Sequence, residues 1–314
     1  MPDARFTVKF AGPHVSIQDC GRSGKMRFGV PRSGPMDRVS AAIANRALGN
    51  GIEAPLIEIS MGGLVLSCEE GPISVAVAGG GFIIETNKDK FGSWNLFSVQ
   101  EGEQLAIRPG PWGSWTYLAV AGDLQATEWM GSKATHALSG FGGGKLSTGR
   151  ELVIKNARQK SYTPRTIPCP VWARPRPRVN AVLGPQDRHF TPEAIEHIQS
   201  SNFYMTNAFD RMGIRLDGPK LPLHGALSIP SEPIVRGSVQ VSGDGTATVL
   251  MADHQTTGGY PKIATVLDCE TDAFAQLRPR DAIRFNPIDS EGALARARLS
   301  HAQLTGYLRS LRDI

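Results

Sequence analysis

Glycine and proline divide the apolar sequence of this chain into short segments. The 314 residues include 35 Gly and 22 Pro, and the apolar runs between them are short, as in 73–86 and 115–122. Several runs alternate apolar and polar residues, which is the pattern of a half-buried strand. A parallel sheet needs crossover helices between its strands, and few helical patterns are present. The spacing therefore predicts a mainly β fold of barrels or sandwiches with a few helices.

Three segments carry helix signals. The first follows Asp37, a suitable N-cap, and stops before Gly49. The second begins at Thr191–Pro192, where a hydroxyl cap precedes a proline in the first turn. The third occupies about 292–311, where leucines recur at roughly helical spacing.

A proline-rich segment divides the chain. Residues 161–178 carry five prolines and several arginines, and proline cannot donate a hydrogen bond to a strand ladder. We predict a linker there, between an N-terminal domain at 1–160 and a C-terminal domain at 179–314. Both parts show strands, one early helix and further strands, the order that a duplication would leave, although no fixed repeat period is visible.

The bulk composition excludes several function classes. The net charge of +5 is mild, and no nucleic-acid-binding motif is present. No apolar run approaches the roughly 20 residues that a membrane-spanning helix needs. The four cysteines stand far apart, without a C-x-x-C pair, which argues against a metal site. With no signal-peptide pattern at the N-terminus, we expect a cytoplasmic protein.

The polar stretch from Ala252 to Val266 is the richest candidate site. Asp253 is suited to proton transfer, and Lys262 to polarising a carbonyl or binding a carboxylate. We predict catalytic roles for Asp253, Gln255, Tyr260 and Lys262, and substrate binding by Thr256, Thr257, Gly258 and Gly259. For His254, the alternative to a catalytic role is a buried imidazole that is merely hydrogen-bonded.

Two further segments supply candidate residues. Residues 16–37 are rich in glycine, which lets the backbone approach a ligand closely. We predict substrate binding by Asp19, Arg22, Ser33 and Asp37. The alternative for Asp37 is helix capping alone. Arg211 offers a planar fork for an oxygen anion and is predicted to be catalytic, although a structural pair with an aspartate is the alternative.

Some common catalytic patterns are missing. Residues 139–147 resemble a phosphate-binding loop, but Ser139 and Leu146 stand where the Walker pattern requires glycine and a hydroxyl residue. The glycines there could still present backbone N–H groups to an anion, and a plain turn is the alternative. No G-x-S-x-G turn is present, so acyl-enzyme chemistry is disfavoured.

Several motifs, taken in order, resemble a known family. They are IQDCGRSG, GVPRSGPMD, NRALGN, GPQD, DRMGIRLDG, SVQVSGDG and ADHQTTGGYPKIATV. They look like motifs of the allophanate hydrolase subunit 2 family, also called the biotin-dependent carboxyltransferase family. The resemblance spans about residues 5–286. Members include the C subunit of 5-oxoprolinase and part of the carboxyltransferase region of urea carboxylase.

The resemblance implies a fold, partners and a reaction. We expect two cyclophilin-like β-barrel domains, a subunit-1 partner similar to the B subunit of 5-oxoprolinase, and a third partner similar to its A subunit. The implied reaction is the ATP-dependent opening of 5-oxoproline to glutamate by the complex. This chain is expected to be inactive when it is isolated from its partners. One alternative is a carboxyltransferase component that acts on urea or a related amide, with biotin carried by another protein. Another is a non-enzymatic regulator of a kinase-inhibitor partner.

The implied substrates share one chemical demand. A lactam and urea are both resonance-stabilised amides, so their cleavage or carboxylation needs a polarised oxygen and a correctly timed proton. We expect Lys262 and Arg211 to stabilise negative charge on the substrate oxygen, and Asp253 to transfer the proton. These residues are expected to share one cleft with the 19–37 loop. A nucleotide site is expected at the partner interface or in the partner. The third helix and exposed strand edges are expected to bind that partner.

Overall fold

Short strands supply most of the regular structure, which confirms the mainly β prediction. The computed structural model describes residues 3–159, 164–225 and 229–311. It divides into a first unit (Met1–Arg22, Ser33–Arg174 and Gly306–Ile314) and a second unit (Ser23–Arg32 and Pro175–Thr305). The main division, at Arg174–Pro175, falls inside the proline-rich segment, of which residues 161–163 lie outside the described part of the chain. The predicted bounds of the linker stay a prediction.

The first unit contains two antiparallel sheets. Its strands are β1 (Ala4–Ala11), β2 (Ser16–Gln18), β3 (Leu56–Ser60), β4 (Leu64–Glu70), β5 (Ile73–Ala78), β6 (Ile83–Thr86), β7 (Lys90–Gly92), β8 (Asn95–Val99), β9 (Gln104–Arg108), β10 (Trp115–Val120), β11 (Asp123–Leu124), β12 (Glu151–Lys155) and β13 (Arg165–Thr166). One sheet has the order β11-β12-β1-β4-β9-β6-β7, and the other β13-β8-β5-β10-β3-β2. Strands β5 and β10 are buried along their whole length, which explains their continuous apolar sequences.

Helix α1 (Arg38–Ala47) packs on strands β5 and β10. Asp37 caps it by accepting a hydrogen bond from the Ser40 N–H, which confirms the predicted start. Gly49 follows the last turn with a φ of 71°, a left-handed conformation that glycine adopts without strain. The cap and the glycine therefore locate both ends of this helix.

The second unit is built on a closed barrel of seven strands. The strands of this unit are β14 (Arg178–Leu183), β15 (Phe203–Phe209), β16 (Gly213–Asp217), β17 (Glu232–Pro233), β18 (Ser238–Val241), β19 (Ala247–Leu250), β20 (Thr257–Gly258), β21 (Lys262–Val266) and β22 (Ala282–Pro287). The order around the barrel is β14-β21-β18-β19-β16-β15-β22, with β14 and β22 parallel. Strands β17 and β20 form a separate two-stranded ribbon.

Helices are few, as the sequence predicts. Helix α2 (Pro192–Ser200) begins after Thr191, whose hydroxyl accepts a hydrogen bond from the Ala194 N–H. The short α3 (Thr271–Ala275) was not predicted, because five residues are too few to show a helical period. Helix α4 (Ser290–Ser310) confirms the third predicted helix. Single 3-10 turns occupy Met26–Phe28, Val171–Ala173, Asp187–His189 and Asp268–Glu270. Within the described residues, no helix is both long and apolar enough to cross a bilayer.

Gly237, just before β18, lies where the barrel leaves no room for a side chain. Its φ is 88°, and a Cβ placed on it would lie 2.4 Å from the Val266 carbonyl oxygen. Gly24, in the same unit, has a φ of 76° with no atom within 4 Å of such a Cβ. We expect Gly24→Ala to lower the free energy of unfolding by about 1 kcal/mol through the backbone conformation alone. Gly237→Ala should lower it by about 3 kcal/mol, because overpacking adds to that strain.

Peptide-level hydrogen exchange is the suitable measurement for these two variants. All five tryptophans belong to the first unit, so their fluorescence does not report directly on the barrel. Equal losses of protection in the two alanine variants would contradict the proposed clash at Gly237.

Candidate functional site

The 252–266 stretch forms a connection of the second unit between two barrel strands. Strand β19 ends at Leu250 and β21 begins at Lys262, so the polar residues interrupt the barrel wall where the apolar pattern stops. Within this connection, β20 pairs with β17, and Glu232 stands opposite Gly258. The chain therefore leaves the wall, pairs with a second segment and re-enters the barrel at Lys262.

Arg211 and Asp253 form a buried ion pair with two hydrogen bonds. Arg211 Nε lies 2.9 Å from Asp253 Oδ2, and Nη2 lies 3.0 Å from Oδ1. The two side chains are 2% and 1% exposed. The Asp253 N–H also donates to the Arg211 carbonyl at 2.7 Å. This geometry ties the start of the connection to the turn between β15 and β16. The catalytic roles of both residues stay predictions.

Gly258 and Gly259 permit a close approach of the segment that carries β17. A Cβ on Gly258 would lie 2.7 Å from Gln240 Nε2, and one on Gly259 would lie 2.9 Å from the Ile229 carbonyl oxygen. The Ile229 N–H donates to the Gly259 carbonyl at 2.8 Å. The glycine pair therefore acts, in this structure, by letting two backbone segments meet.

The hydroxyl residues of the same connection face outward or bind through their backbone. Tyr260 is 48% exposed, and Thr257 is exposed as well. The Thr256 carbonyl accepts a hydrogen bond from the Ile234 N–H at 3.1 Å. The predicted roles of these three residues in catalysis or substrate binding stay predictions.

Lys262 carries its charge in a buried position. The residue is 2% exposed, and Gln186 holds its backbone from both sides. The Lys262 N–H donates to Gln186 Oε1 at 3.0 Å, and the Gln186 N–H donates to the Lys262 carbonyl at 3.3 Å. Lys262 Nζ lies 3.8 Å from Glu232 Oε2 and has no hydrogen-bond partner among the residues that the structure describes. Glu232 Oε2 also accepts a hydrogen bond from Gln186 Nε2.

Two more amide side chains lie beside this lysine. Gln240 stands opposite Lys262 in the pairing of β18 with β21. Gln255 Nε2 donates to Gln240 Oε1 at 3.3 Å. We call these five residues the Lys262 cluster: Gln186, Glu232, Gln240, Gln255 and Lys262. It combines an ammonium, a carboxylate and three amides, which are groups suited to binding an amide or an oxygen anion.

His254 is buried next to this cluster in sequence, and its ring is hydrogen-bonded. Its Nδ1 lies 2.6 Å from the Gln255 carbonyl oxygen. Because a carbonyl only accepts, Nδ1 carries the proton of the neutral ring. Burial is the largest influence and lowers the pKa of His254, outweighing the Gln255 carbonyl and Asp253, which favour the charged form. The arrangement matches the structural alternative for this residue.

In the first unit, Asp19 and Arg22 are held by a neighbouring loop. Asp19 accepts hydrogen bonds from Ser132 Oγ at 2.5 Å and from the Lys133 N–H at 2.6 Å. Arg22 Nε donates to the Trp129 carbonyl at 2.9 Å, and the guanidinium stacks 4.6 Å from the centre of the Trp129 ring. Both side chains thus have structural partners, and their predicted substrate binding stays a prediction.

Ser33 and Asp37 begin a second polar region of the first unit. Ser33 has a φ of 57°, and its buried Oγ finds no hydrogen-bond partner among the described residues. The Asp37 N–H donates to Tyr117 Oη at 2.6 Å, and Tyr117 donates to Glu58 Oε2 at 2.9 Å. Burial above all, then the charges of Glu58 and Asp37, raises the pKa of Tyr117 well above its usual range. The phenol therefore stays protonated and holds the chain at Asp37.

Several of these polar residues were not predicted as site candidates. Gln186 and Gln240 lie inside the motifs GPQD and SVQVSGDG, which was a usable signal. Glu58 is an acid inside an apolar strand, which was another. Glu232 gave no signal, since its position depends on the ribbon pairing. Among residues 3–159, 164–225 and 229–311, no group of His, Cys, Asp and Glu is arranged to hold a metal ion.

The sequence matches the family described as carboxyltransferase domain, subdomain A and B, over residues 28–287. The chain belongs to this family. The match confirms the resemblance that the ordered motifs suggested, and it includes every member of the Lys262 cluster.

Similar proteins include a subunit of 5-oxoprolinase, a urea amidolyase and a urea carboxylase. The C subunit of Escherichia coli 5-oxoprolinase is 32% identical over 288 residues, covering 90% of this chain and 91% of that protein. Saccharomyces cerevisiae urea amidolyase is 30% identical over 311 residues, covering 91% of this chain but 17% of that protein. The solved Kluyveromyces lactis urea carboxylase superposes with a TM-score of 0.85 at 25% identity, covering 96% of this chain and 29% of that one.

The Arg211–Asp253 pair should be required for stability. Arg211→Met removes the cation from a buried carboxylate and should lower the free energy of unfolding by about 3–5 kcal/mol. The double variant Arg211→Met/Asp253→Leu should recover much of that loss, because neither charge of the pair is then left buried without the other. Hydrogen exchange in β15, β16 and the 252–261 connection measures the effect.

A matched control for this pair is Arg215→Met. Arg215 pairs with Asp244 at the surface, with both side chains about half exposed, so solvent screens the pair and a much smaller change is expected. A double variant no more stable than Arg211→Met would show that the ion pair is needed for more than neutralising Asp253.

The lowered pKa of His254 predicts a pH-dependent stability. Because the unfolded chain binds this proton more readily than the folded one, the stabilising contribution is present above about pH 6.5 and is lost as the pH falls below it. We expect His254→Gln to reduce the loss of protection in the second unit between pH 7.5 and pH 5.5. His301→Gln, at an exposed position on α4, is the control. Identical pH dependence in His254→Gln and the unmodified chain would contradict the assignment.

Proposed function

We propose that this chain is one component of an ATP-dependent 5-oxoprolinase, which opens 5-oxoproline to glutamate together with a subunit-1 protein and a third protein. The observation that carries the proposal is the match to the C subunit of E. coli 5-oxoprolinase, which extends over nine-tenths of both chains. The match to urea amidolyase is similar in identity but concerns a small part of that larger protein.

The chemistry of the Lys262 cluster supports an amide substrate. Opening a lactam requires stabilisation of negative charge on oxygen and a proton for the departing nitrogen. Lys262 presents ammonium N–H groups that the described protein leaves without an acceptor. Gln240 and Gln255 add amide donors and acceptors beside it. A substrate that carries both an amide and an anionic oxygen would complement this set.

The proposal includes ATP as a reactant and the cytoplasm as the location of the protein. The 139–147 loop lacks the Walker spacing, so we assign the nucleotide site to the partner or to its interface with this chain. All four cysteines are free thiols, which suits a reducing compartment.

The strand topology restricts where a partner could add a strand to this chain. The barrel of the second unit is closed, so its seven strands offer no open edge for strand addition. The sheets of the first unit end at β11, β7, β13 and β2. Helix α4 exposes Leu294 and Leu299, each about half, and remains a candidate for partner binding.

The second candidate is a carboxyltransferase component that transfers CO₂ to urea or a related amide. The family description and the superposition on K. lactis urea carboxylase favour it. This reading needs biotin carried by another protein, because the chain shows no AMKM-type biotin-acceptor segment. Both readings use a polarised amide, and they differ in the second reactant.

Reconstitution distinguishes the two readings. The chain alone should show little turnover, because it lacks a recognisable nucleotide motif. Mixed with its two partner proteins, it should release glutamate from 5-oxoproline only when ATP is present, and enzymatic glutamate detection measures this. Substantial ATP-dependent turnover by the isolated chain would contradict the need for partners.

The alternative is tested in parallel. The same chain is supplied with urea, bicarbonate, ATP, a biotin carboxylase and its biotin carrier protein, and carboxylated urea is measured. Carboxylation of urea without any opening of 5-oxoproline would overturn the 5-oxoprolinase proposal.

A further inference from the structure

The Lys262 ammonium is a buried cation that lacks a close counter-ion. The residue is 2% exposed, and its 3.8 Å separation from Glu232 Oε2 is longer than a hydrogen bond. Leaving a buried charge without hydrogen bonds is energetically unfavourable. A site of this kind is therefore completed when an oxygen anion arrives at hydrogen-bond distance.

Glu232 already shows which chemical group the position accepts. One of its carboxylate oxygens, Oε2, receives a hydrogen bond from Gln186 Nε2 and faces the Lys262 ammonium. Its side chain is nevertheless 48% exposed, and it belongs to the short ribbon rather than to the barrel. Glu232 can therefore turn to solvent at low cost and vacate a position that is shaped for a carboxylate.

The backbone that carries the cation, in contrast, is fixed. Lys262 lies in β21, which is hydrogen-bonded to β14 on one side and to β18 on the other. Gln186 binds its backbone N–H and carbonyl. With its backbone fixed and its side chain buried, the lysine has little freedom left to lose when a ligand binds.

We propose that Lys262 and the Gln186 amide form a subsite for the carboxylate of a small amide ligand, which replaces the carboxylate of Glu232. The inference rests on the proposed function and specifies it, since 5-oxoproline is a lactam that bears one carboxylate and urea bears none. Lys262 then binds the substrate's carboxylate, and Glu232 is the internal competitor for that position. The amides of Gln240 and Gln255, now bonded to each other and to the Tyr260 carbonyl by long hydrogen bonds of 3.3 and 3.4 Å, would exchange these bonds for the lactam group.

Direct binding tests the subsite without requiring turnover. Calorimetry measures the affinity of the chain, alone and in the reconstituted complex, for 5-oxoproline, for 2-pyrrolidinone, which is the same ring without the carboxylate, and for urea. Lys262→Met should weaken 5-oxoproline binding about tenfold or more, the usual effect of removing a charge-assisted hydrogen bond. It should leave the affinity for 2-pyrrolidinone unchanged.

Glu232→Gln keeps the test decisive if Lys262→Met fails to fold. It retains an oxygen acceptor for Gln186 but removes the competing charge, so 5-oxoproline should bind several-fold more tightly. If Lys262 and Glu232 were only a structural ion pair, the same variant would lower stability and leave affinity unchanged. Lys220→Met, which removes an exposed lysine of the same unit, should leave the affinities for 5-oxoproline and 2-pyrrolidinone unchanged.

The outcomes separate this inference from the proposed function. Binding of 5-oxoproline that depends on Lys262, without glutamate release by the complex, supports the subsite and rejects the proposed reaction. Glutamate release with unchanged 5-oxoproline affinity in Glu232→Gln and Lys262→Met overturns the subsite and keeps the reaction. Equal affinity for 5-oxoproline and 2-pyrrolidinone, or no binding of 5-oxoproline by chain or complex, also overturns the subsite.

Discussion

Closure of the seven-stranded barrel fixes the backbone position of one buried lysine, and the carboxylate subsite that we propose in the second unit depends on that constraint. A strand with neighbours on both sides cannot shift without breaking ladder hydrogen bonds, so β21 holds Lys262 in place. A lysine side chain near the protein surface ordinarily extends its charge to water. Here the side chain is buried, so its charge has to be met by other groups at the site.

The same unit contains a second buried cation, which is fully paired with a carboxylate. Arg211 and Asp253 are as deeply buried as Lys262, yet two hydrogen bonds of 2.9 and 3.0 Å join them. Lys262 and Glu232 are 3.8 Å apart, and only one of the two is buried. Burial alone therefore does not distinguish the two ion pairs. The informative difference is that one ion pair is complete and the other leaves its cation short of an acceptor.

Sequence patterns predicted much of the fold and less of the site. Periodicity, caps and proline placement predicted the β character, the start of α1 at Asp37 and the start of α2 at Thr191, because these signals act within a few residues. Barrel closure joins β14 to β21 and β22, more than 80 residues apart in sequence, which no local pattern encodes. The approach of Glu232 to Lys262 likewise depends on a ribbon whose register is set in three dimensions.

Two glycines allow the residues of the Lys262 cluster to come together. Gly258 and Gly259 have no side chains to hold the 229–234 segment away, so β17 can pair with β20. That pairing brings Glu232 over the cation, where it can shield the charge until a ligand arrives. A bulkier residue at Gly258 would displace the Gln240 amide and the Ile234 side chain. The glycine pair, whose predicted part in substrate binding stays a prediction, thus allows the polar groups of the Lys262 cluster to come together.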